Sequence, residues 1–271
     1  MAKHWILPAL LFAASACIGG ANAAQVGQRI SLSYNLYAAG LPVAELDAEV
    51  ELTGSSYRVA SDLRTVGLAD MRVGWRAAQV SDGRLVNGSA HPSRFASDGT
   101  WRDQPRRTEI KYSAAGAVDL DLTPSADDDL HPPVSPAQRA GTVDFMSAMV
   151  ELTFADSPAA ACAGSRAIFD GRRRYDMVLV ADREETLPKL RHNIYAGTAL
   201  RCRVELRRVA GFAAEADGFE VPETLYVWLA RDAGSGLVMP VKLQAATGFG
   251  TAEIHLSRVT SDDFRQAGLA N

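Results

Sequence analysis

The chain of 271 residues has little cysteine, little lysine and few aromatic residues: three Cys, four Lys and 7% Phe, Trp and Tyr. It has no apolar run long enough to cross a bilayer as a helix. It also lacks HExxH, GxSxG, a P-loop and a GxGxxG leading from a strand into a helix, so the sequence carries no recognisable signature of catalysis, nucleotide binding or zinc. No CxxC is present, which excludes a zinc ribbon or a thioredoxin-like pair. Four lysines stand against 24 arginines, and the formal net charge is −4. That balance argues against sequence-independent binding to nucleic acid, which needs clustered positive charge. With 47% hydrophobic and 22% charged residues, the composition is that of a globular domain.

What is present begins with an address. A short basic start around Lys3 is followed by the apolar run Ile6 to Ile18 and then by Ala21-Asn22-Ala23, the small-x-small pattern of a signal peptidase site. The expectation is a signal peptide over 1–23, cleavage after Ala23, and a single β-rich periplasmic domain over 24–271 without a transmembrane span. A second reading makes Cys17 a lipidation site, because Ala14-Ser15-Ala16-Cys17 loosely resembles a lipoprotein box. After cleavage at Ala23 two cysteines remain, Cys162 and Cys202. In an oxidising compartment they are expected to form a disulfide that closes a loop of about 40 residues.

Periodicity of two dominates, with turn residues at short intervals, and this predicts a meandering antiparallel sheet. Ile30, Leu32, Tyr34 and Leu36 alternate with Arg29, Ser31, Ser33 and Asn35. Ala44, Leu46, Ala48, Val50 and Leu52 alternate with acidic residues, and Gly40 serves the turn between the two strands. Further strands are expected near Tyr57 to Val66, Gly74 to Val80, Arg84 to Ser89, Arg106 to Ser113 and Ala117 to Leu122. Turns are expected at Ser81-Asp82-Gly83, Ser97-Asp98-Gly99 and Ala114-Ala115-Gly116. Between 124 and 141 prolines and the triplet Asp127-Asp128-Asp129 predict a crossover with no regular element. One helix is predicted at about 144–154, capped by Asp144 and ended before Pro158.

After residue 163 the strands return, with turns at Asp170-Gly171 and Asp232 to Gly236. Their patterning differs, because Leu225, Val227 and Leu229 alternate with Tyr226, Trp228 and Ala230. Such strands need cover on both faces. The fold class expected is all-β: a curved, incompletely closed antiparallel β-barrel or spiral with one short helix packed against it.

Several stretches resemble a family. Tyr34 to Leu46, the helix around Val143 to Met149, the hairpin Ile168-Phe169-Asp170-Gly171-Arg172-Arg173-Arg174, Cys202 followed by Gly211-Phe212, and Val227-Trp228-Leu229-Ala230 are similar to a DUF-type family of exported Gram-negative bacterial proteins of unknown function. That resemblance implies an exported domain with no established activity. The general layout is also similar to lipoprotein carriers of the LolA/LolB type and to spiral β-proteins of the cell envelope, a likeness that transfers no site residues.

The functional expectation is a non-enzymatic periplasmic envelope-maintenance protein that binds a lipid, acyl chain or other apolar ligand in the sheet concavity, with no cofactor and no metal. Trp228, Tyr226, Met177, Leu179 and Met239 are the candidate lining, with Phe145 and Met149 as the plug. Two alternatives stay open. One is an interaction module whose arginines Arg172, Arg173, Arg174, Arg207 and Arg208 contact anionic envelope polymers or a protein partner. The other is an envelope hydrolase whose site assembles only in three dimensions, from groups such as Asp119 and Asp121 or the separated histidines His91, His131, His192 and His255.

Overall fold

The computed structural model describes residues 25–123, 132–212, 222, 224–248 and 250–266. The expected signal peptide, Cys17, the acidic triplet 127–129 and His131 lie outside the described residues. Thirteen strands form one antiparallel sheet: β1 Gln25–Ala38, β2 Leu41–Thr53, β3 Ser56–Thr65, β4 Arg76–Val86, β5 Ser89–Trp101, β6 Gln104–Tyr112, β7 Val118–Thr123, β8 Ala163–Phe169, β9 Arg174–Leu187, β10 Gly197–Ala210, β11 Thr224–Arg231, β12 Val238–Thr247 and β13 Gly250–Gln266. The spatial order is β7-β6-β5-β4-β3-β2-β1-β13-β12-β11-β10-β9-β8. Every neighbour is therefore a sequence neighbour except β1 and β13, and the sheet ends at β7 and β8 without closing. Among the described residues no helix is long and apolar enough to cross a membrane.

Two predicted turns fall inside strands. Ser81-Asp82-Gly83 belongs to β4, where the register slips by one residue between Asp82 and Gly83, and the chain reverses instead at Asn87-Gly88. Ser97-Asp98-Gly99 belongs to β5, and the reversal comes at Arg102-Asp103, both with positive φ. Gly99 is needed for another reason: a Cβ there would lie 2.1 Å from the Arg76 carbonyl oxygen, so β4 and β5 approach too closely for a side chain.

Three short helices escaped the periodicity: α1 Gly67–Val73, α2 Pro136–Arg139 and α4 Pro158–Ala161. In α2 and α4 proline occupies the first turn, where its missing N–H has no intrahelical partner to lose. Ser135 and Ser157 cap these helices. Pro158 thus starts a helix rather than only ending the opportunity for one. The predicted helix is α3, Phe145–Thr153, with Asp144 as N-cap accepting from the Ser147 amide at 2.9 Å.

Cross-strand partners share a face of the sheet, so each inner row can be read across the strands. One row is Ile30, Val50, Val59, Ser81, Phe95, Ile110 and Leu120. It is apolar except for Ser81, and there α3 docks. The Ser81 hydroxyl donates to Asp144 Oδ2 at 3.0 Å, Ser147 Oγ donates to the same oxygen at 2.6 Å, and the Tyr57 and Ser147 hydroxyls lie 2.7 Å apart. Met146 and Val150 of α3 join the core that holds Ile30, Val50, Val59, Phe95 and Ile110, whereas Ala148 and Leu152 join a second core with Ile168, Met177, Leu179, Val204, Val227 and Val238. The helix therefore fills the concavity between the two halves of the sheet.

Cys162 and Cys202 are bridged within the second core, with Sγ atoms 2.00 Å apart and both residues buried. The other face of the sheet is covered at β12 and β13 by the 188–196 connection, which folds back across them. Asn193 Nδ2 donates to the Val241 carbonyl at 3.3 Å, and the Ile194 amide donates to the Leu256 carbonyl at 2.9 Å. The cover for strands that are apolar on both faces is thus α3 and α4 on one side and this connection on the other.

Candidate functional site

The row next to the helix-docking row runs Leu32, Ala48, Ser61, Gln79, Ser97, Thr108 and Leu122. On β3–β6 it is polar where the neighbouring row is apolar. Ser61 Oγ and Gln79 Oε1 are 3.4 Å apart, as are Gln79 Nε2 and Ser97 Oγ, so the floor is a string of long contacts between hydroxyls and an amide. The next inner row holds Ala77, Gly99 and Arg106, and its two small residues leave a hollow above the floor. This hollow, about 190 Å³ and open to solvent, lies at the end of the sheet that carries α1.

Its far wall comes from the other edge of the sheet. The β8–β9 turn, Asp170 to Arg173, reaches β6 and β7: Arg172 Nη2 donates to the Thr123 carbonyl at 3.2 Å. Asp170 accepts from the Arg172 and Arg173 amides at 2.9 and 2.7 Å and from Arg173 Nε at 3.0 Å, which fixes the turn and holds one guanidinium. Gly171, at φ +100°, packs against Thr108, and a Cβ there would lie 2.4 Å from Thr108 Cγ2. Among the described residues four arginines, Arg76, Arg106, Arg172 and Arg173, and one carboxylate, Asp170, line the hollow; Arg76 Nη2 also stands 3.8 Å from Asp70 Oδ2 at the rim. Trp75 forms the remaining wall. It is half exposed, pinned by backbone bonds to Thr65 and held edge-on by Trp101 at 5.6 Å between ring centroids.

Of the arginines expected to contact an anion or partner, Arg172 and Arg173 lie in this hollow. Arg174 pairs with Asp176 at 2.8 Å, Arg207 pairs with Glu205 at 2.9 Å, and Arg208 stacks on Phe212 at 5.2 Å around a second, smaller hollow that Arg173 shares. Arg76, Arg106 and Trp75 were not singled out by the sequence. The signal that could have found Trp75 and Arg106 is the inner-face parity of β4–β6, where Trp75, Ala77, Gln79 and then Ser97, Gly99 and Arg106 interrupt an otherwise apolar alternation; Arg76 has the opposite parity and carries no such signal.

The expected apolar lining is not gathered into one groove. Met177 and Leu179 face α3 and α4, while Trp228, Tyr226 and Met239 point to the opposite side of the sheet, because residues 226, 228 and 230 alternate with 225, 227 and 229. Trp228 is buried, its Nε1 donating to Glu185 Oε2 at 2.6 Å, and Arg201 stacks over Tyr226 at 3.9 Å. Phe145 is exposed and Met149 only half buried, so the concavity is filled by Met146 and Val150 of the same helix.

Two polar groupings bear on a hydrolytic reading. Asp144 is fully buried with the Ser81 and Ser147 hydroxyls, and burial raises its carboxyl above the ordinary range against the pull of those hydrogen bonds. Both hydroxyls donate to that carboxylate beneath the helix, and among the described residues no imidazole is bonded to them, so the network anchors the helix rather than activating a nucleophile. His192 and His255, distant in sequence, meet edge to face at 4.4 Å between ring centroids, with Tyr37 at 5.3 and 5.8 Å from the two rings. Burial pushes His255 down, and Glu253 Oε2 stands 3.5 Å from its Nε2. Asp119 and Asp121 lie exposed on the edge strand β7. Among the described residues no group of three His, Cys, Asp or Glu is placed to hold a metal ion.

The family model DUF3108, described as a protein of unknown function, matches residues 33–257. No curated protein matches the chain. Among solved structures, the crystal structure of a beta-barrel-like protein of domain of unknown function DUF1849 from Brucella abortus is similar, at 12% identity and a TM-score of 0.48, over 89% of this chain and 99% of that one.

Proposed function

This chain belongs to the DUF3108 family, whose function is unknown, and from that premise we propose that it is an exported, non-enzymatic binding module of the cell envelope whose ligand is anionic and sits in the hollow between β4–β6 and the β8–β9 turn. The observation that carries the reading is the convergence of Arg106, Arg172 and Arg173 on one polar hollow, with Arg76 at its rim beside Asp70; among the described residues Asp170 is the one carboxylate that lines it. Guanidinium groups match carboxylate and phosphate geometry in a way lysine does not. They are also carried on strands and a hydrogen-bonded turn, so little ordering is needed on binding. The apolar-ligand reading has weaker support, since its expected lining is packed into two separate cores.

The test is titration calorimetry of the full chain with pyrophosphate and with citrate at two ionic strengths. Binding that weakens as salt rises, and that is reduced by Arg173→Gln and by Arg106→Gln, is expected. Equal titrations of wild type and both variants, or no heat with either anion, would place the ligand elsewhere.

A further inference from the structure

We propose that the ligand of this hollow is an acidic saccharide, a sugar carrying a carboxylate or a phosphate; the inference rests on the anion-binding reading and names its ligand class. Three chemistries meet in the hollow, and a sugar acid uses all of them. Arginines serve the charged group. The floor of Gln79, Ser97 and Thr108 carries both donors and acceptors. Its two contacts between polar side chains are 3.4 Å long, so neighbouring hydroxyls of a ligand can replace them without leaving a good bond broken. Trp75 supplies an aromatic wall, and an indole face accepts the C–H side of a pyranose ring.

The rest of the lining narrows the choice. Among the described residues the only apolar side chain in the hollow apart from Trp75 is Ala77, whereas pockets for apolar small molecules are lined mostly by hydrophobic groups. A bare inorganic anion needs neither the indole nor the amide floor. An extended acidic peptide would use its main chain against a strand edge, but the hollow is on a sheet face and its floor strands β4 and β5 are already paired on both sides. The Trp75 amide donates to Thr65 Oγ1, its carbonyl accepts from the Thr65 amide, and the Trp101 ring abuts its indole edge-on, so the stacking surface exists before the ligand arrives.

The test titrates the full chain with trigalacturonate, glucose 1-phosphate, maltotriose, inorganic phosphate and tetraglutamate. Either or both acidic sugars are expected to bind at least about tenfold more tightly than maltotriose, phosphate and tetraglutamate, and which of them does so separates a carboxylate from a phosphate source. Trp75→Ala should weaken the acidic sugar about tenfold and leave phosphate unchanged, and Trp75→Phe should restore most of the loss. Ser97→Ala, a change on a half-buried floor position, gives a second reading should Trp75→Ala fold poorly, and it too should weaken the sugar more than phosphate. Phosphate or tetraglutamate binding as tightly as the acidic sugars, or variants that lower sugar and phosphate alike, would overturn the saccharide assignment while leaving the anion-binding reading intact. Absence of binding to every anionic probe would overturn both.

Discussion

Replacing both bridge cysteines, Cys162→Ala with Cys202→Ala, removes a constraint whose size follows from the chain itself. The two residues are separated by 40 positions, and the chain-entropy account assigns a loop of that length about 4 kcal/mol of destabilisation to the unfolded state. Both side chains are buried in the core made by Ala148, Leu152, Ile168, Val227 and Leu229, so loss of two sulfur atoms also opens a void costing about 1 kcal/mol. The sum, about 5 kcal/mol, is a large part of the 5–15 kcal/mol that ordinarily separates folded from unfolded chains. At a urea dependence of about 3 kcal/mol per molar for a domain of this size, the unfolding midpoint should fall by about 1.7 M. Tryptophan fluorescence in urea measures it, Trp228 being buried on β11 beside Val227, the cross-strand partner of Cys202. Reduced wild-type protein keeps its sulfur atoms and should lose only the loop-closure share. A midpoint shift below about 0.5 M for the double variant would refute the reasoning, because the bridge would then not be restricting the unfolded chain.

The buried imidazole gives a pH dependence of known sign. The pKa of His255 is depressed in the folded state, so protons bind the unfolded chain more readily, and the stabilising effect of the neutral imidazole, complete above about pH 6.5, declines as pH falls below it. Glu253, Lys242, His192 and Tyr37 face the ring, and a His255→Phe variant should lose less thermal stability than wild type between pH 7.5 and 5.5; identical losses would remove His255 as a cause. The pKa of Asp144 is raised, so its contribution runs the other way: it is present below about pH 3.8 and lost as pH rises through the folded value. Asp144→Asn keeps a capping oxygen, and its urea midpoint relative to wild type should climb from pH 4 to pH 7; a flat difference would count against a strained carboxylate. Gly171→Ala should cost about 2 kcal/mol from positive φ and contact with Thr108. Adding Thr108→Ser, which removes the methyl at 2.4 Å, should recover the steric part alone. Full recovery or none, measured by thermal denaturation, would show that only one of the two causes operates.

The alternation of apolar and charged residues in β1 and β2 is complete enough that their pairing was readable from the chain, and so were the capped helix near 144 and the two surviving cysteines. Strands apolar on both faces announced that β11 and β12 needed two covers, although not that residues 188–196 would provide one of them. Turn residues misled where tertiary packing used them otherwise: Gly83 sits at a slip in register and lies against the Tyr57 hydroxyl, and Gly99 admits the Arg76 carbonyl. Prolines at 136 and 158 read as breakers but act as first-turn residues. The candidate site itself was half legible. Arg172 and Arg173 stood out as a charged run, but their partners Arg76, Arg106 and Trp75 belong to β6 and to the start of β4, and only the approach of the two sheet ends makes them neighbours.

That strand order has a further meaning. Gln25 of β1 faces Gln266 of β13 in the centre of the sheet, and every other neighbouring pair is consecutive in the chain. Joining those two ends by a short turn and opening the chain between β7 and α2 would therefore turn the thirteen strands into one uninterrupted up-and-down ribbon, β8 to β13 followed by β1 to β7. Natural folding must bring together strands at opposite ends of the chain before the two half-sheets become one. A circular permutant would convert that distant encounter into a local hairpin, and it should fold faster while presenting the same hollow at its rim.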